Sequence, residues 1–94
     1  MAREFTIFPN PARDGRVHVA LRLGADPREV FSLSVFDATG RRVRELARHE
    51  QSGSLRTIEW DGRDDSGRSV ASGTYLMRLD SRAGASASTF TIVR

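Results

Sequence analysis

Three aspartates, Asp61, Asp64 and Asp65, crowd one end of the stretch WDGRDDSGRSVASGTY (Trp60–Tyr75). Calcium takes several oxygen ligands, and clustered carboxylates are the side chains that supply them. The spacing departs from the EF-hand order: Arg63 stands two residues after Asp61, Ser66 replaces the required glycine, and no distal glutamate follows. No metal is therefore expected, and Asp61, Asp64 and Asp65 are the carboxylates that calcium would use if it bound. The same letters spell a turn more fully. Asp and Ser bond back to nearby amides, and glycine takes positive φ without steric cost. On this reading Asp64–Gly67 is a tight turn, Gly62 and Gly73 mark the ends of the crossing, and Arg63 and Arg68 partly neutralise the aspartates.

Other chemistry is sparsely supplied. His18 and His49 have no carboxylate at a telling spacing, and a zinc site needs three or four ligands. No serine sits in a Gly-x-Ser-x-Gly elbow. An Asp/Glu pair for glycoside cleavage needs a deep cleft, for which so small a chain leaves little room. The chain has no cysteine, which removes disulfides and thiolate metal sites, and no lysine, which removes Schiff-base chemistry. The expectation is a non-enzyme without cofactors. A net charge of +3 comes from 15 arginines interleaved with acids, and the most basic run, Gly40–Arg48, is broken by Glu45. A nucleic-acid footprint needs a clustered patch, so none is expected. Phe8 beside Pro9, Asn10 and Pro11 is an aromatic that a sugar could stack on, which keeps a carbohydrate-binding module as a third reading. Trp60 and Tyr75 fall at core positions instead.

The elements that carry these residues alternate with a period of two. Val17, Val19 and Leu21, with Leu23, alternate with Arg16, His18, Ala20 and Arg22, which is a strand with one solvated face. Phe31, Leu33 and Val35 repeat the pattern against Ser32 and Ser34. Tyr75, Met77 and Leu79 do so against Thr74, Leu76 and Arg78, and Phe90 and Ile92 against Thr89, Thr91 and Val93. Phe5–Phe8 is a shorter strand ended by prolines that lack backbone donors. Asp37–Gly40 reads as a tight hairpin turn feeding a bulged strand that sends Val43 and Leu46 to the core. Ile58 and Trp60 share the inner face of another strand, and Ser81–Ser88 reads as a flexible hairpin connection. Ninety-four residues make a single domain, 1–94, with no internal repeat. Seven short strands without a long helix predict an all-β, antiparallel β-sandwich. No apolar run spans a membrane, and MAREFTIF lacks the apolar region of a signal peptide, so no membrane insertion is expected. The tyrosine opening a late strand in SGTY resembles, in topology alone, the tyrosine corner of immunoglobulin-like sandwiches, and Trp60 does not sit where an antibody domain keeps its tryptophan.

Four ordered blocks then carry a family resemblance: FPNPARDGRVHVALRL, LSVFDATGRRVREL, IEWDGRDDSGRSVASGTYLMRL and STFTIVR. Together they resemble the C-terminal sorting domain of type IX secretion. The third block also resembles the immunoglobulin-like domain of the flagellar hook-capping protein. The matching positions are Pro9, Asn10 and Pro11, then Gly40 and Arg41, then Trp60, Asp61, Gly62, Gly73 and Tyr75, and finally Thr91, Ile92, Val93 and Arg94. Phe8 stands where the sorting family more usually has tyrosine, and Arg82 is the nearest basic residue before the last strand.

The resemblance implies a seven-stranded immunoglobulin-like β-sandwich, the C-terminal module of a larger protein exported through the periplasm to the cell surface or beyond. Its implied partners are secretion-machinery proteins of the outer membrane, with Thr91–Arg94 as the strand they would read. The rival expectation is a structural immunoglobulin-like spacer that meets neighbouring domains. The cargo and the oligomeric state are left open by both.

Overall fold

The computed structural model describes residues 4–22, 30–51, 55–81 and 84–94. Leu23, Arg82 and the side chain of His49 lie outside them. Seven strands follow one another: β1 (Glu4–Phe8), β2 (Val17–Arg22), β3 (Val30–Phe36), β4 (Arg42–Gln51), β5 (Leu55–Trp60), β6 (Gly73–Ser81) and β7 (Gly84–Ile92). They form a three-stranded sheet in the order β1-β2-β5 and a four-stranded sheet in the order β4-β3-β6-β7. Every strand pair within the sheets is antiparallel. Among the described residues there is no helix, and so none long and apolar enough to cross a membrane. The all-β antiparallel sandwich expected from the period-two pattern is the fold.

The apolar half of each alternation is what the two sheets bury. Val17, Val19 and Leu21 on β2 are fully buried, as are Leu33 and Val35 on β3 and Met77 and Leu79 on β6. Phe5 and Ile7 on β1, with Ile58 on β5, pack against this core while half-covered. β4 carries register shifts against β3, and the added residues let Val43, Leu46 and Ala47 all reach the core side. At the centre lies an aromatic cluster. Trp60 from the smaller sheet meets Tyr75 and Phe90 from the larger one edge-on, with ring centroids 6.1 and 6.0 Å away. Such edge contacts add to area burial because ring edges are positive and ring faces negative.

Two connections differ from simple expectation. Gly84–Ser88, read as part of a flexible hairpin, are strand residues paired from Ser81↔Gly84 through Met77↔Ser88. Their small side chains carry a loop's composition, but a ladder is made by the backbone and needs no apolar side chain where that end stays exposed. After β1 the chain leaves its sheet at Pro9, the Phe8–Pro9 and Asn10–Pro11 bonds being cis. It then reaches β7 by a parallel bridge between Ala12 and Ile92. The Ala12 amide donates to the Thr91 carbonyl and the Val93 amide to the Ala12 carbonyl, both at 2.9 Å. One segment thereby ties the first sheet to the edge of the second.

Phe90 is 2% exposed and links the aromatic cluster to β7. Phe90→Ala is expected to cost about 3–5 kcal/mol of stability. That is a large share of the roughly 5–14 kcal/mol expected of a chain this size. Urea unfolding followed by tryptophan fluorescence measures it.

Candidate functional site

The aspartate-rich stretch between β5 and β6 is a small hairpin closed by an antiparallel bridge between Arg63 and Ser69. Asp64 makes its tip. Its Oδ1 accepts hydrogen bonds from the Ser66 amide at 3.0 Å, the Ser66 hydroxyl at 2.7 Å and the Arg68 amide at 3.0 Å. The backbone closes as well: the Gly67 amide donates to the Asp64 carbonyl at 2.9 Å and the Asp64 amide to the Arg68 carbonyl at 2.8 Å. Gly67 supplies a φ of 88°, which a residue with a Cβ rarely adopts. The Arg68 Nε lies 3.7 Å from Asp64 Oδ2. Arg63 turns elsewhere, its Nη1 donating to the Gly67 carbonyl at 2.9 Å.

The β3–β4 turn is the same device. Asp37 Oδ1 accepts from the Thr39 amide at 2.9 Å, the Thr39 hydroxyl at 2.6 Å and the Arg41 amide at 3.1 Å. Gly40 has a φ of 88°, and Arg41 Nε lies 3.4 Å from Asp37 Oδ2. Both turns obey the pattern Asp-x-Ser/Thr-Gly-Arg, Asp37–Arg41 and Asp64–Arg68. This turn motif, too short to be a repeat unit of the fold, is signalled in the sequence by the identical spacing of Asp, hydroxyl, Gly and Arg. The hydroxyl bond is the main reason each carboxyl lies below its ordinary value, with Thr39 acting on Asp37 and Ser66 on Asp64.

The two turns flank one open cleft of about 680 Å³. Its charges alternate: Asp37, Asp64 and Asp65 face Arg41, Arg42 and Arg68. The remaining two aspartates also serve the backbone. Asp61 Oδ1 accepts from the Arg63 amide at 3.0 Å and from Arg44 Nη1 at 3.4 Å. Asp65 Oδ1 accepts from the Glu45 amide at 3.2 Å, and the Asp65 amide donates to the Val43 carbonyl at 2.9 Å, docking the hairpin on β4. Among the described residues no group of three or more His, Asp or Glu side chains is placed to hold a metal ion.

Around this loop the family-motif residues form its anchors. The buried Trp60 donates its indole N–H to the Arg63 carbonyl at 2.9 Å, and the Val70 amide donates to the Gly62 carbonyl at 2.9 Å. Tyr75, two residues past Gly73, donates its hydroxyl to the Ala71 carbonyl at 2.6 Å and so clamps the loop where it enters β6. Burial first, and the Asp37 carboxylate second, push that hydroxyl above its ordinary value, against an opposing effect of Arg94. The last residues join the same assembly. The Thr91 amide donates to Asn10 Oδ1 at 3.1 Å, between Pro9 and Pro11, and Ile92 is fully buried. Arg94 Nε donates to the Val70 carbonyl at 2.6 Å and Nη2 to the Gly62 carbonyl at 3.0 Å, while its amide donates to Ser72 Oγ at 2.9 Å. Gly15 leaves room for this guanidinium: a Cβ there would lie 2.6 Å from Nη2.

On the other sheet, Phe8 is 44% exposed and stacks on His18, ring centroids 5.5 Å apart. His18 Nδ1 stands 3.7 Å from Glu59 Oε2, the pair directly opposite in the β2–β5 register. The carboxylate neighbour absent along the chain is supplied across the sheet.

The geometry has known counterparts. The model of the FlgD Ig-like domain matches residues 10–85. The chain belongs to this family. Among solved structures, the Ig-like chain superposes on part of dimeric latent PorU from Porphyromonas gingivalis with a TM-score of 0.79 at 24% identity. That match covers 98% of this chain and 9% of PorU. It is also similar to PorZ, an essential bacterial surface component of the type-IX secretion system of the same organism, with a TM-score of 0.65 at 26% identity, over 96% of this chain and 11% of PorZ. FlgD from P. aeruginosa follows with a TM-score of 0.59 at 20% identity, over 95% of this chain and 70% of that one. The likenesses to PorU and FlgD are of fold. No curated protein matches the chain. The FlgD-type Ig-like domain thus spans about a tenth of PorU and of PorZ.

Two measurements probe the turns. Thermal melts with and without calcium are expected to coincide, because the Oδ1 atoms of all three aspartates already accept amide hydrogen bonds; a calcium-dependent rise would reveal binding. Acid acts on the carboxyls themselves. Asp37 and Asp64 titrate below the ordinary 3.8 when folded, so the unfolded chain binds their protons first. The stability they contribute is complete above 3.8 and is lost as pH falls through the lower folded values. Asp37→Asn combined with Asp64→Asn is expected to flatten the fall in melting temperature between about pH 4 and about pH 2.

Proposed function

We propose that this Ig-like domain is a non-catalytic sorting and export module, recognised by the type IX secretion machinery of the outer membrane. The observation that carries the reading is the near-complete overlap with a part of PorZ, a component of that system, at 26% identity. The geometry supports a module that acts as a folded surface. Its polar residues are spent on turns and clamps, and the cleft between the twin turns presents balanced charge rather than a nucleophile and base. A module of this kind meets its readers through edges and loops while the rest of the exported protein carries other activities.

A second reading, a structural spacer or assembly module that meets neighbouring domains, is supported by the match to the FlgD Ig-like model and by the overlap with FlgD. Deleting Thr91–Arg94 does not separate the two readings cleanly, since it removes the buried Ile92 and every bond made by Arg94. The whole domain is the better probe. Fused to the C-terminus of a periplasmic reporter in a type IX-competent bacterium, it is expected to carry the reporter to the cell surface or medium. A reporter that stays in the periplasm with the domain folded would favour the spacer.

A further inference from the structure

The four-stranded sheet has two edges, and they are built differently. β4 presents Arg42, Arg44 and Glu45 and is broken by register shifts, features that discourage pairing with another chain. β7 has neither protection. From Gly84 to Val93 there is no charged residue and no proline, and its ladder with β6 runs without a shift from Gly73↔Ile92 to Ser81↔Gly84. Backbone direction alternates along a strand, so one known position sets the rest. The Thr91 amide and carbonyl face away from β6, toward Asn10 and Ala12. Those of Thr89, Ala87 and Ala85 therefore face the same way. Among the described residues nothing pairs with them, and all three residues are exposed.

We infer that this edge is a homodimer seam, in which β7 of one copy pairs antiparallel with β7 of a second across a two-fold axis at Ala87. A two-fold pairing sets Ala87 against its own counterpart and Ala85 against Thr89 of the second copy. Each opposed pair then exchanges N–H and C=O groups that lack partners among the described residues. The register is bounded. A slip toward the chain end would call on the Thr91 groups already held by Asn10 and Ala12, and a slip the other way carries Thr89 past Gly84, the first residue of β7. Charge permits self-pairing as well. Opposed side chains are alanine and threonine, and the nearest charges on β6, Arg78 and Asp80, neutralise each other at 3.0 Å. A self-facing edge with net charge would meet its own sign. The result is one continuous eight-stranded sheet, and this inference does not rest on the export reading.

Sedimentation or light scattering on the intact chain, up to about 1 mM, tests it. A reversible dimer is expected. Ala87→Pro removes only an outward amide, leaving the β6 ladder its donors, and is expected to weaken the dimer at least about tenfold without changing the β-sheet circular dichroism. Ala87→Arg, which keeps the backbone donor, sets like charges against each other at the axis and should weaken it too, most at low salt. A monomer at every concentration, or a dimer indifferent to both substitutions, overturns the proposal. If the wild type is monomeric yet Ala87→Arg abolishes reporter export, the occupant is a strand of another protein and the homodimer is likewise overturned.

Discussion

A buried indole N–H must find an acceptor, and in this domain the search for one organises the crossing between the two sheets. Trp60 is fully buried at the end of β5, where the chain has to leave the smaller sheet. Its N–H is satisfied by the Arg63 carbonyl, which the Asp61–Arg63 turn brings back over the ring. The same carbonyl accepts from Arg44 Nη1 at 3.0 Å, so β4 of the opposite sheet is tied to the tryptophan through one oxygen. Leaving a buried donor unpaired costs about 1–3 kcal/mol. The rest of the loop is built around that place: the Asp64 turn closes the hairpin beyond it, Asp65 docks it on β4, and Tyr75 clamps its exit. The aspartates that resemble ligands are turn-builders first.

The twin Asp-x-Ser/Thr-Gly-Arg turns show how one local solution serves two places. A carboxylate collecting two amides and a hydroxyl closes a five-residue turn by itself, and the positive-φ glycine lets the chain return without a Cβ clash. Because the information is local, these turns are legible in the letters: Asp37–Gly40 spells one directly, and Asp64–Gly67 spells the other in competition with a calcium loop. What the letters concealed is that the two turns share a cleft. Their separation along the chain says nothing of that, and only the sandwich brings β3–β4 and β5–β6 to the same end.

Legibility elsewhere follows one rule. Where one face of a strand is buried, alternation reports it, as along Val17–Leu21 and Tyr75–Leu79; a one-residue slip would expose the whole set. Where both faces stay open, composition misleads. Gly84–Ser88 resembles a linker because its side chains are small and mostly exposed, although it keeps unbroken register with β6. Cross-strand partners were hidden for a related reason. His18 and Glu59 meet only because β2 lies beside β5, and strand order is a property of the assembled sheets.

The last residues of the chain illustrate how far this coupling extends. Thr91, Ile92, Val93 and Arg94 have the pattern of a strand end offered to a partner, yet each is engaged by the domain itself. Thr91 and Val93 hold the Asn10–Ala12 segment, Ile92 fills the core, and the Arg94 guanidinium sits over Gly15 with its donors on Gly62 and Val70. Those contacts gather the β1–β2 connection, the aspartate loop and β7 at one point. Breaking them to free the terminal strand would uncover the buried Ile92 and strip Arg94 of its acceptors on Ser72, Val70 and Gly62. A partner that left these contacts intact would meet the folded domain at this end. The backbone left available without such a cost is the stretch just before it, Ala85 to Thr89.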